Sequence, residues 1–185
     1  LDRAISQIYP AYDERLAKYD KIPIQKNNCL KEYLKTGKLN KTLIEVYNEQ
    51  LSVTGSNIIY LRLKFLKEIE KIAKTKHKII SKSEALEINY DCNFLSNETE
   101  PDEILTGFKK AIVEKTEEEI RRGQTCIGPH RDDIKFYING NDSSKFASQG
   151  QQRTIVLALK LSELDIITEK TGDEPILLLD DVLAE

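Results

Sequence analysis

"FASQGQQRTIVLALKLSE" (Phe146–Glu163), followed beyond Gly172 by "ILLLDDV" (Ile176–Val182), decides how the rest of the chain is read. Ser148 stands just before an apolar-periodic stretch, where its hydroxyl can accept from the free amides of a helix's first turn. Gly150 permits close approach to the backbone, and the helix behind it turns its positive dipole end outward, which makes a ready anion site. An ordinary helix cap after a hairpin has the same appearance. The second run is four apolar residues closed by two acids. An unbroken apolar run suits a strand buried on both faces of a largely parallel sheet. Acids at the C-terminal end of such a strand lie where ligands bind, and an aspartate there holds Mg²⁺ in P-loop phosphoryl-transfer enzymes. The bland alternative is a buried strand whose acids merely face water.

The two runs in this order, joined by one helix and a turn, resemble the signature motif and Walker B strand of ABC-type ATPases. The resemblance is to the RecF family in the SMC-like branch, and "GPHRDD" (Gly128–Asp133) belongs to the same likeness. It is strong from Thr125 onward and looser before, where "LDRAI" and a two-helix pattern also fit. The resemblance implies that Ser148, Gln149, Gly150 and Gln151 meet the γ-phosphate of an ATP held by the opposite subunit. Gln149 stands where the transporter pattern has a glycine. Asp180 matches the residue that orders Mg²⁺. Asp181 occupies the catalytic position, one methylene shorter than the usual glutamate, which fits slow hydrolysis serving as a switch.

Working outward, residues 1–82 read as a helical arm. Tyr12, Leu16, Tyr19, Leu30, Tyr33 and Leu34 mark a first helix from Pro10 to about Thr36 that Gly37 ends. Pro23 should break or kink it, lacking an N–H and crowding the preceding turn. Leu43, Val46, Tyr47, Leu51, Ile58, Leu61, Phe65, Ile69 and Ile72 recur at three- and four-residue steps, the seam of a long antiparallel partner. Gly55 weakens that helix by about 1 kcal/mol relative to Ala. Two such helices make an arm rather than a compact core.

Residues 83–172 read as a signature lobe. "ALEINYDCNFL" alternates as a strand with Leu86, Ile88 and Tyr90 on one face. A helix follows, with Pro101 in its first turn, Leu105, Phe108 and Ile112 as its apolar stripe, and Gly123 as its stop. "TCIGPHRDDIKFYINGND" reads as strand, turn, strand, with a hairpin at Asn139-Gly140. Residues 173–185 would then be the returning Walker B strand. The fold class is α/β, mixed α+β over these residues: a signature lobe with a long antiparallel helical arm.

The net charge of −3 over 185 residues excludes a uniformly basic nucleic-acid module. Yet from Arg62 to Lys82 there are eight basic residues and two acids. Lys64, Lys67, Lys71, Lys74 and Lys78 share a helical face, which with Arg62 could follow a phosphate backbone without reading sequence. A solvated helix flank would look the same. His130 follows Pro129 in a turn; its ordinary pKa near 6.5 permits proton chemistry, though such a histidine commonly bonds across the turn. Asp132 and Asp133 are successive strand residues on opposite faces, which argues against a joint metal site.

No G-x-x-x-x-G-K-[ST] phosphate loop is present: Gly37 is followed by Lys38 and Leu39, and Glu32 occupies the earlier glycine position. The expectation is the middle of a longer chain with both ends cut, inactive and nearly ATP-blind by itself, whose parent is a slow DNA-stimulated ATPase. Three separated cysteines without metal spacing, no apolar span and no signal peptide point to the reducing cytoplasm and away from membranes. The resemblance further implies ATP and Mg²⁺ as cofactors, an ATP-joined homodimer, DNA as ligand, RecR and RecO as partners, and work in replication, recombinational gap repair and the SOS response to DNA damage. The competing readings are another SMC-like ATPase whose arm binds a protein, or a non-enzymatic helical adaptor.

Overall fold

The computed structural model describes residues 1–95 and 100–177. The expected Walker B strand from Leu178 onward, with Asp180 and Asp181, lies outside the described residues. Among the described residues there are six helices and three strands: α1 (Asp2–Ile8), α2 (Ala11–Thr36), α3 (Lys41–Ser81), β1 (Leu86–Asp91), α4 (Pro101–Arg122), β2 (Asp133–Ile138), β3 (Asn141–Asp142), α5 (Ser143–Phe146) and α6 (Gln149–Thr171). Helices α2, α4 and α6 each end on a left-handed glycine, Gly37, Gly123 and Gly172. An L-residue there would be strained by its Cβ.

The residues gather into two compact units: a helical unit of Pro10–Leu63 and Cys92–Asp133, and a signature unit of Leu1–Tyr9, Lys64–Asp91 and the chain from Ile134 on. The long helix α3 gives its first half to one and its second half to the other. Each unit therefore draws on segments that are apart in the chain.

In the helical unit, α2 and the first half of α3 run antiparallel. Thr36 and Lys41 are joined by a short link, and at the far end Arg62 Nε donates to Tyr12 Oη at 3.3 Å. Of the expected break or kink, the break does not occur: α2 continues through Pro23, which is buried within the helix. The hairpin is also not coreless. Helix α4 packs against α2, and Ile104, Phe108, Ala111 and Ile112 are buried with Tyr12, Tyr19, Leu30, Leu51, Ile58 and Ile59. Full burial of side chains of this size is worth about 1.5–3 kcal/mol each, so the core suffices to hold three helices together. Two details of phase shift accordingly. Ile104 rather than Leu105 leads the buried stripe of α4, and Val46 on α3 stays exposed while Ile44 is buried. Residues 125–127, expected as a strand, are irregular backbone instead, and the expected turn follows at Pro129 and His130. Gly128 explains part of this, since at φ 126° a Cβ would overlap the Tyr19 hydroxyl.

In the signature unit, α1 packs on α6, and a three-stranded sheet runs in the order β1-β2-β3. Asn139 and Gly140, at φ 51° and 78°, form the two-residue turn between β2 and β3. Two successive positive φ values match the right-handed strand twist, as the Asn-Gly pair predicted. The register is Tyr137 opposite Asp142 and Ile138 opposite Asn141. Strand β1 alternates as expected, with Leu86 and Ile88 buried. Asn139 donates from its backbone to Ala85 O, while Lys135 pairs with Asp91 near the far end, so β1 and β2 are antiparallel. Among the described residues no helix is long and apolar enough to cross a membrane.

Candidate functional site

The site is built at the amino end of α6. Asp142 caps the short helix α5 by accepting from Ser144 N at 2.9 Å. Ala147 then turns extended and delivers Ser148 to the N-cap of α6. The capping box is complete: Gln151 N donates to Ser148 Oγ at 3.2 Å, and Ser148 N donates to Gln151 Oε1 at 2.8 Å. Two of the four orphan amides are thereby satisfied by side chains.

Gln151 makes one further bond: its Nε2 donates to Glu84 Oε1 at 2.7 Å. The side chain of Gln151 is thus committed at both ends within the unit, whereas Ser148, Gln149 and Gly150 are exposed. A Cβ added at Gly150 would meet nothing nearer than Ser148 Oγ at 3.9 Å, so this backbone is open to approach. A hollow of about 390 Å³ lies beside the first turns, lined by Gln149, Gln152, Arg153 and Val156. Phe146, two residues before the cap, is 73% exposed.

The second candidate surface is the later half of α3. Lys64, Lys67, Lys71, Lys74 and Lys78 are all exposed, as their shared phase requires. Lys64 lies over the Tyr9 ring at 5.8 Å, and Lys74 pairs with Glu70 at 2.8 Å. Among the described residues, Lys67, Lys71 and Lys78 form no ion pair. On another flank of α3 the charges are used for packing, Lys76 with Asp165 and Glu68 with Lys170. Arg62 must be removed from the basic face. It is 8% exposed, and its Nη1 donates to Pro129 O at 2.6 Å within the helical unit. A guanidinium committed to a buried carbonyl is not presented to a phosphate.

"GPHRDD" resolves into scaffolding. Tyr19 Oη lies 2.6 Å from His130 Nδ1, and burial, reinforced by the Arg131 charge, lowers the His130 pKa to about 4. The two groups share one hydrogen bond, and burial and the nearby Asp132 charge raise the Tyr19 hydroxyl's own pKa well above the usual range, so it stays protonated beside the imidazole. Arg131 Nη2 donates to Thr125 O at 3.1 Å. The histidine is therefore tied to Tyr19 on α2, 111 residues away in sequence.

Sequence reasoning passed over three groups. Lys26 Nζ meets Glu119 Oε2 at 2.5 Å, both almost fully buried, and Glu119 Oε1 also accepts from Cys126 N at 2.8 Å. A signal existed: Lys26 falls on the stripe of Tyr12, Tyr19, Ile22 and Leu30, and Glu119 on that of Phe108 and Ile112. A charge in buried phase demands a partner. Asn27, which accepts from Thr125 N at 2.6 Å, and Glu84 gave no comparable signal.

Comparison with known proteins places this geometry. No family model matches the chain. Among curated proteins it is 41% identical over 188 residues to the DNA replication and repair protein RecF of Halothermothrix orenii, covering all of this chain and 50% of that protein. It is likewise 41% identical over 187 residues to RecF of Bacillus subtilis, with the same coverage. The fold superposes on the structure of the recombination mediator protein RecF-ATPrS in the RecFOR pathway with a TM-score of 0.91, 38% identity, and coverage of 98% of this chain and 49% of that one. The corresponding RecF-ATP structure gives 0.90 and 37%. The chain spans about half the length of the curated relatives it matches. It belongs to the RecF family, as a segment of such a protein.

Proposed function

We propose that this RecF-family segment supplies the trans-acting face of an ATP-controlled DNA clamp used in replication and recombinational repair. Ser148, Gln149 and Gly150 face the γ-phosphate of an ATP held by a second copy, and the amino end of α6 contributes its free amides and dipole. Gln151 acts from behind, holding the cap. Asp180 orders Mg²⁺ and Asp181 assists hydrolysis in the same head. ATP thereby joins two copies. The exposed face Lys64, Lys67, Lys71, Lys74 and Lys78 follows the phosphates of DNA gripped by the dimer, which loads recombinase at gaps with RecO and RecR.

One observation carries this reading: a complete capping box that leaves Ser148 and the Gly150 backbone open at the start of a 23-residue helix, in a chain whose structural relatives include a protein described as RecF-ATP. A helix cap with no ligand role has no need of an unobstructed glycine in its first turn.

The test uses the full-length protein with ATP and Mg²⁺, following dimerisation by sedimentation and DNA binding by anisotropy. Ser148→Arg is expected to abolish both, because a long cation fills the space reserved for the opposing phosphate. Loss of the cap itself costs only about 1 kcal/mol, too little to unfold the protein. Reversing Lys67, Lys71 and Lys74 to Glu is expected to remove DNA binding while leaving ATP-dependent dimerisation intact. Survival of both activities in Ser148→Arg would reduce the loop to a helix cap.

A further inference from the structure

The capping box of α6 does not end with its own two residues. Gln151 spends its carbonyl on Ser148 N and its amide on Glu84 Oε1 at 2.7 Å. Glu84 comes from the turn between α3 and β1, 67 residues away in sequence. Its backbone is fixed from both sides: Glu84 N donates to Ser81 Oγ at 3.3 Å, and Ala85 exchanges hydrogen bonds with Asn139 at the hairpin tip. The carboxylate is mostly shielded, and its other oxygen lies 3.9 Å from Nε2 of His77. That imidazole is fully buried, with neither ring nitrogen hydrogen-bonded. A charged acceptor on a turn bonded from both sides is therefore aimed at the side chain that closes the Ser148 capping box. A carboxylate bond to an amide donor is stronger than a neutral one, because the acceptor carries full charge.

We infer that Glu84 is a positioning residue for the loop Ser148–Gln151: it holds the Gln151 amide so that the Gln151 carbonyl must point back at Ser148 N, which sets the direction of the Ser148 hydroxyl and the Gly150 backbone. Its consequence for nucleotide rests on the reading of this loop as the face that meets ATP; the positioning itself does not. Because Glu84 follows directly on α3, the helix bearing the basic face and the nucleotide-facing loop are joined through one side-chain pair.

The experiment exploits the direction of the bond. In the full-length protein without nucleotide, hydrogen exchange is followed at Ser148, Gln151 and Gln152. Glu84→Ala is expected to speed exchange about tenfold or more, the loss of a hydrogen bond to a charged group. Glu84→Gln, which still offers a carbonyl to Gln151, is expected to change it by less than about threefold, a neutral bond being roughly half as strong. Gln151→Glu is the sharper probe. Ser-x-x-Glu is itself a sound capping box, so this change is harmless unless a second carboxylate stands opposite. It is expected to match Glu84→Ala, and the double change Glu84→Gln with Gln151→Glu, which reverses donor and acceptor, is expected to restore wild-type exchange.

Equal exchange in all variants, or no recovery in the double change, overturns the assignment. With ATP and Mg²⁺ added, dimerisation is expected to fall in the same rank order, with Ser148→Arg as reference. If exchange follows that order while Ser148→Arg still dimerises, the ATP-facing reading fails and the positioning role of Glu84 stands.

Discussion

Lys26 and Lys71 are the same residue in the middle of long helices, one in the helical unit and one in the signature unit. Lys26 is 1% exposed and bonded to Glu119, whereas Lys71 is exposed and makes no ion pair among the described residues. The difference runs through both units. In the helical unit Arg62 is buried, and Arg62, His130, Arg131 and Asn27 each bond within the unit to a backbone carbonyl, a hydroxyl or an amide, although His130 and Arg131 keep an exposed side. Where the signature unit carries Ser148, Gln149 and the lysine face, the groups look outward from rigid backbone. The polar side chains named in the first unit tie the 125–131 segment to its helices, whereas Ser148, Gln149 and the exposed lysines of α3 in the second stand open to solvent. A motif rich in His, Arg and Asp is therefore not by its composition a reactive centre.

The comparison breaks first at the buried pair. Lys26→Met leaves the Glu119 carboxylate buried without its counter-charge and is expected to lower stability by about 3–5 kcal/mol in urea melts. Lys71→Met should change stability by no more than about 0.5 kcal/mol, as exposed sites do. Comparable effects would erase the distinction between the two units.

Gly55 sharpens it at the next level. Helix propensity alone favours Ala there by about 1 kcal/mol. In the folded helical unit, however, a Cβ would lie 2.5 Å from Phe108 Cε1 and 3.1 Å from Tyr19 Cε2. Overpacking of this kind costs about 1–3 kcal/mol, so Gly55→Ala is expected to destabilise. A stabilised variant would mean that α3 and α4 are packed less closely than the structure has them.

The smallest effect concerns His130. Its folded-state pKa, lowered to about 4 by burial and then by Arg131, lies below the ordinary value near 6.5. Between these values the unfolded chain binds more protons, so this contribution is full above about pH 6.5 and declines as pH falls toward 4. The ring is partly exposed, which keeps the effect modest. Melting temperatures at pH 7 and pH 5 should drop more in the wild type than in His130→Gln. An equal drop would show the histidine to be solvated rather than scaffolding.

Much of the fold was legible because its signals are local. Gly37, Gly123 and Gly172 end their helices where the sequence places them, Asn139-Gly140 makes its turn, and the alternation of Leu86 and Ile88 sets the buried face of β1. Ser148 was legible for the same reason, since a cap and the first turn it serves lie within four residues. Pro23 does not break α2 because a proline removes one hydrogen bond, and the tertiary burial of the helix outweighs that local loss.

What the sequence by itself determined is where helices and turns begin and end, and which short loop presents a serine and a glycine at a helix start. Only the tertiary structure decided that α4 joins α2 and α3 in one core, that Arg62 points inward and Lys67 outward, that Gly55 is required by Phe108, and that Glu84 holds Gln151. Hydrogen-bond periodicity and capping are settled between residues a few positions apart. Burial of a charge or a close backbone approach depends on which distant element arrives opposite, and partners 67 or 93 residues apart leave no spacing in the chain to announce them.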